Sequence, residues 1–78
     1  MYYVYILRLH DRSLYIGYSS DLKQRLVEHQ KGSVNSTKHN LPSVLIWYSA
    51  FRSKNQAIAF EKYMKSSSGF AFQNKHLI

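Results

Sequence analysis

The sequence predicts an α+β domain: a small, mainly antiparallel three-stranded sheet flanked by helices, in the order β-β-α-β-α-α. Three observations carry this. Two tyrosine-bearing stretches, YYVYIL and LYIGYS, are β-rich and separated by only six residues, most of them polar. Two later segments carry helix caps and helical spacing of apolar residues. A third β-rich run, VLIWYSA, lies between those helices. At 78 residues the chain fits one domain, taken as residues 1–78.

Each element follows from its residues. From Tyr2 to Leu9, Tyr3, Tyr5, Leu7 and Leu9 share one strand face, and Tyr2, Val4, Ile6 and Arg8 the other. His10-Asp11-Arg12-Ser13 supplies a turn. Leu14 to Tyr18 resumes the strand pattern, with Tyr15 and Gly17 on one face and Leu14, Ile16 and Tyr18 on the other. Gly17 inside a strand is costly and marks a bulge or a close approach by a backbone or ligand. Ser19-Ser20-Asp21 offers N-cap chemistry and Gly32 a C-terminal stop, so DLKQRLVEHQK reads as a helix of about three turns. Residues 33–43 form a polar loop containing the only proline, Pro42. Val44 to Ala50 is the third strand. Ser53 caps a second helix from Lys54 to Lys65, broken by Ser66-Ser67-Ser68-Gly69. FAFQNKHLI is expected to form a short closing helix.

Composition narrows the function. Lys and Arg total 11 against 4 Asp and Glu, a formal charge of +7. Such a field favours polyanionic partners, nucleic acid first, over a membrane surface. No segment pairs a wide apolar face with a lysine-rich one, and the apolar runs are too short to span a bilayer. With no cysteine and no signal-like N-terminus, the expectation is a cytoplasmic protein without disulfides or a zinc-thiolate site. There is no phosphate-binding glycine loop and no recognisable Ser-His-Asp pattern. Paired carboxylates of the glycosidase kind are missing too.

Two places put polar residues on apolar helix faces. On the first helix, about 100° per residue centres the buried stripe on Leu22 and Leu26. Arg25 and His29, four apart, stack at its edge, either as functional groups or as a core boundary covered by the arginine stem. On the second helix, Ala57, Phe60 and Met64 follow a core face, and Glu61 falls inside that arc. A carboxylate there needs a partner. The options are an internal salt bridge, for instance to Arg25, a metal ligand, or a general acid or base. Of the other acids, Asp21 reads as a cap, Glu28 as solvent-facing and Asp11 as a turn residue. Glu61 is therefore the one candidate ligand for a single Mg²⁺ or Mn²⁺, with waters and a substrate phosphate completing the shell.

Tyr3-Val4-Tyr5, followed across a short hairpin by Tyr15-Ile16-Gly17, resembles the paired motif of the GIY-YIG endonuclease superfamily. The first triplet has tyrosine where the family has its namesake glycine, but the motif's own tyrosine, Tyr5, is kept. Arg25 and His29 match the family's helix arginine and the histidine four residues on. Glu61 matches its metal-binding glutamate. The resemblance covers essentially the whole chain and is greatest to the small stand-alone bacterial subgroup, similar to the nuclease domain of the nucleotide excision repair endonuclease subunit. The loop STKHNLP and the tail SGFAFQNKHLI also look like that subgroup.

The resemblance implies metal-dependent hydrolysis of phosphodiester bonds in DNA, in repair or in processing of branched or damaged DNA. It implies that Glu61 holds the Mg²⁺ or Mn²⁺ ion and Arg25 clamps a phosphate oxygen. Tyr5 and Tyr15 would position the attacking water, one of them serving as general base with help from Arg25, His29 and the metal. His29 would hydrogen-bond a tyrosine hydroxyl. Gly17 would keep the strand clear beside the site. Asn74 is the candidate for a later asparagine of the family. Thr37 and Lys38, in the loop before Pro42, are either contacts to a phosphate backbone or part of a solvated loop. A protein partner or a homodimer would supply target choice. The competing expectation is a module of the same fold that binds DNA or RNA without cutting it.

Overall fold

The structure, a computed structural model, describes residues 1–66. It contains β1 (Tyr2–Arg8), β2 (Leu14–Ser19), α1 (Leu22–Gln30), β3 (Val44–Phe51) and α2 (Lys54–Met64). These are the first five predicted elements, in the predicted order. The expected closing helix and Asn74 lie outside the described residues.

The sheet is antiparallel throughout, in the order β2-β1-β3. The first strand is therefore the central one. Each of its faces carries a helix. Ala57 and Met64 of α2 cover Val4, Ile6 and Ile16. Leu22 and Leu26 of α1 pack against Tyr5, Leu7 and Leu9 on the other face. Covered on both sides, β1 has no solvent face, and Val4 through Leu7 are all buried. The alternation read from its sequence is real, but it separates two cores rather than a core from water.

The hairpin register pairs Tyr5 with Gly17 and Leu7 with Tyr15, so both tyrosines lie on the α1 face. On the other side, Tyr5 pairs with Tyr48 and Ile6 with Trp47. The register then shifts, so that Leu7 pairs with Leu45 and Ile46 is the extra residue. This bulge lets the consecutive residues Ile46 and Trp47 both pack against the α2 core.

Local chemistry sets the helix ends. The Asp21 carboxylate accepts from the Gln24 backbone N–H at 3.1 Å, and the Ser53 hydroxyl oxygen from Gln56 at 3.3 Å. Gly32 adopts φ +76°, and the amides of Gly32 and Ser33 return to the carbonyls of His29 and Glu28. That is the Schellman pattern, and it stops α1 two residues before the glycine.

Candidate active site

The α1 face of the sheet gathers four of the sequence-predicted residues. The Tyr5 and Tyr15 rings lie 6.3 Å apart between centroids. His29, in the last turn of α1, meets both rings edge-on, at 5.7 Å and 5.1 Å. The Tyr5 hydroxyl and His29 Nε2 are 2.7 Å apart, a buried hydrogen bond between residues 24 positions apart in sequence. Arg25, one turn earlier on α1, is close enough to the Tyr5 hydroxyl to act on its proton affinity.

His29 was expected at the edge of the apolar stripe with Leu22 and Leu26 at its centre. The structure reverses this. His29 is fully buried and the two leucines are half-buried. An imidazole can sit there because both ring nitrogens are satisfied. Nδ1 lies 2.9 Å from the Thr37 hydroxyl, itself fully buried. Two proton arrangements fit. Tyr5 donates to Nε2 while Nδ1–H donates to Thr37, or Thr37 donates to Nδ1 while Nε2–H donates to Tyr5. Either gives each polar side-chain heavy atom of the chain Tyr5–His29–Thr37 a partner.

Thr37 was expected as a backbone contact or as part of a solvated loop. It is neither, because its loop folds inward and buries Val34, Thr37 and Ser43. With His29 it is one of two residues of the polar chain whose burial sequence reasoning missed. The single sequence signal was Val34, an apolar residue in an otherwise polar run, three positions before it. Lys38, next to it, is exposed.

Gly17 was expected to leave space for nucleic acid. It is buried, and what approaches it is the Tyr5 ring. A Cβ on Gly17 would overlap the Tyr5 Cζ and hydroxyl and lie 2.9 Å from Cε1. The glycine therefore seats the tyrosine, and the tyrosine reaches His29 because of it.

The electrostatics follow from this packing. Burial pushes the Tyr5 hydroxyl up to about 12, the charges of Tyr15 and Glu61 push the same way, and Arg25 pulls against them. The expected help from positive charge is present but outweighed by desolvation. Burial, then the Arg25 charge, lowers the His29 pKa below its ordinary value, so the imidazole is neutral near pH 7. Arg25 pairs with Glu28 at 3.1 Å, both side chains more than one-third exposed. The carboxylate partner of Arg25 is thus Glu28, not Glu61, and Glu28 is less free than a solvent-facing residue.

Glu61 comes from α2, on the opposite face of the sheet from α1. Its side chain is 21% exposed, and Lys65, one turn on, pairs with it at 3.2 Å. Its charge registers at Tyr5. Among the described residues no group of three His, Cys, Asp or Glu side chains could hold a metal ion. One carboxylate with an exposed, displaceable lysine still fits a hard cation that keeps most of its waters.

The family model described as the GIY-YIG catalytic domain matches residues 1–75. A UPF0213 protein of Streptococcus pyogenes serotype M5 (strain Manfredo) is 41% identical over 64 residues, 81% of this chain and 70% of that protein. A second, from serotype M3 (strain ATCC BAA-595 / MGAS315), shows the same identity and coverage. The solution NMR structure of a UPF0213 protein from Bacillus halodurans superposes with a TM-score of 0.60 at 33% identity, covering 96% of this chain and 84% of that one.

Proposed function

The chain belongs to the GIY-YIG catalytic domain family, and on that footing we propose that it is a divalent-metal-dependent endonuclease acting on DNA. The observation that supports this reading is the meeting of Tyr5, Tyr15, Arg25 and His29 on one sheet face. The fold alone would not require it.

The roles divide by exposure. Arg25 is half-buried, with 36% of its side chain exposed. Its planar fork suits two oxygens of a phosphate, which would replace Glu28 as its partner. Tyr15 is half-buried, whereas Tyr5 has no exposed surface. We therefore place Tyr15 against the attacking water and Tyr5 beneath it. Tyr5 is held by His29, whose neutral imidazole can accept a hydrogen bond from the tyrosine or donate one to a phenolate. Thr37 fixes the ring that does so. Glu61 would hold one Mg²⁺ or Mn²⁺, which when bound would offset negative charge developing on the phosphate.

The same reading covers the partner. A charge of +7 draws the DNA backbone. Among the described residues no helix is long and apolar enough to cross a membrane. Cleavage of labelled duplex, branched and single-stranded DNA, with RNA alongside, in Mg²⁺, Mn²⁺ or EDTA tests the proposal. Cutting that needs the metal and is lost in Arg25→Ala is the expected result. Uncut substrate of every kind in both metals would refute it.

A further inference from the structure

Beside this site lies an open groove of about 400 Å³ between the start of α1 and the β1–β3 part of the sheet. Tyr3 and Tyr48 form one wall, Leu22 and Leu26 the other, and Lys23 stands at the rim. Tyr3 and Tyr48 are diagonal neighbours across the two strands, their rings 6.4 Å apart and tilted by 57°. A cross-strand aromatic pair of this kind often serves the sheet alone. Tyr48, however, is 53% exposed, a large aromatic surface left open on a body of this size.

The groove adjoins the candidate active site along β1, β3 and α1. Tyr48 pairs directly with Tyr5. Tyr3 lies two residues from Tyr5 on the same face, about 7 Å along the strand. Leu22 and Leu26 flank Arg25 at helical spacings of three and one, so the helix that forms the groove wall also presents the arginine. Asp21 borders the groove, but its carboxylate caps α1.

We propose that this groove receives one unpaired base of the DNA strand next to the phosphate held at Arg25, stacked on Tyr48 with Tyr3 behind it. The proposal deepens the nuclease reading and rests on it. The chemistry selects this occupant. Flat aromatic faces suit a base, which offers a π-face whatever its identity. The lysine rim and the net positive charge suit the phosphates on either side. A base still paired within a duplex cannot present its face to a wall, so the groove favours strands with an unpaired or extruded nucleotide.

Binding measured in EDTA tests this without relying on cleavage. Three fluorescently labelled probes are compared: an intact duplex, the same duplex with a short single-stranded flap, and that flap with abasic sites. The expected result is tighter binding of the flap than of the other two. Tyr48→Ala should weaken flap binding by about 5- to 150-fold, the range of ~1–3 kcal/mol for one stacked base, and leave duplex binding unchanged. Tyr48→Trp should restore it. A Tyr48→Ala protein that binds the flap like the wild type, or loses all three probes equally, overturns the proposal. Failure of the nuclease reading looks different: no cutting in either metal, with the Tyr48 effect on flap binding intact.

Discussion

Replacing Thr37 with valine keeps the shape of the side chain and removes its hydroxyl. The hydroxyl is fully buried and 2.9 Å from His29 Nδ1. No water reaches that nitrogen to replace it, so the variant leaves a polar atom of the imidazole unsatisfied in either tautomer. A buried orphan of this kind costs about 1–3 kcal/mol. In a domain of this size each kcal/mol moves the melting midpoint by roughly 4–8 °C, so Thr37→Val should melt at least about 4 °C below the wild type. The imidazole also loses the contact that fixes its orientation towards Tyr5. If that orientation matters to the reaction, single-turnover cleavage should slow on the order of 10-fold, about 1.4 kcal/mol in the barrier. Thr37→Ser keeps the hydroxyl and should recover most of the rate even where it does not recover all the stability. Thermal unfolding, cleavage and the ¹⁵N shifts of the His29 ring are the readouts. A Thr37→Val protein with wild-type melting, rate and ring shifts would refute the reasoning.

Three further outcomes follow from the same structure. Gly17→Ala should displace the Tyr5 ring, cost about 1–3 kcal/mol as an overpacked site, and abolish the Tyr5–His29 hydrogen bond; thermal melting and a cleavage assay check it, and unchanged values would count against the seating of Tyr5. Stability should fall at both ends of the pH scale. His29 has a folded pKa below its unfolded value, so the unfolded chain binds the proton more readily and stability drops as pH falls below about 6.5. Tyr5 has the opposite displacement, up to about 12, so the unfolded chain gives up its proton first and roughly 2–3 kcal/mol is lost as pH rises from 10 to 12. Urea titrations across pH, with Tyr5→Phe and His29→Gln as controls, should show the alkaline and acid limbs flatten respectively. Finally, affinity for duplex DNA should fall steeply with salt, by about 0.9 in the log–log slope per phosphate contacted, and Arg25→Ala should reduce that slope by about one.

What could be read in the sequence was what depends on near neighbours. The strand faces of YYVYIL, the caps at Asp21 and Ser53, the stop at Gly32 and the stripe of Ala57, Phe60 and Met64 are all encoded within a few residues, and each is found. What could not be read depends on distant partners. His29 looks polar on any hydropathy scale, and only Tyr5, 24 positions away, and Thr37, 8 positions away, make its burial affordable. Thr37 sits among polar residues that resemble a solvated loop, and Val34 is the one local sign that the loop folds inward. The bulge at Ile46 is a property of two strands in register and leaves no mark on one of them. Gly17 announced a close approach but not by what. The alternative for Glu61, a salt bridge, is met by Lys65 one turn on rather than by Arg25, whose partner is Glu28, three residues from it on the same helix.

The claim at the centre of this account is that one site cuts a DNA strand with a metal held at Glu61. Its most direct test pairs two measurements on Glu61→Ala: DNA affinity in EDTA and cleavage in Mg²⁺ or Mn²⁺. Glu61 is partly exposed and its ion pair with Lys65 is a surface one, so the variant should fold and bind as the wild type does. The account predicts wild-type affinity with cleavage lost. A Glu61→Ala protein that still cuts at the wild-type rate, or a wild-type protein that binds DNA and cuts nothing in either metal, would contradict it.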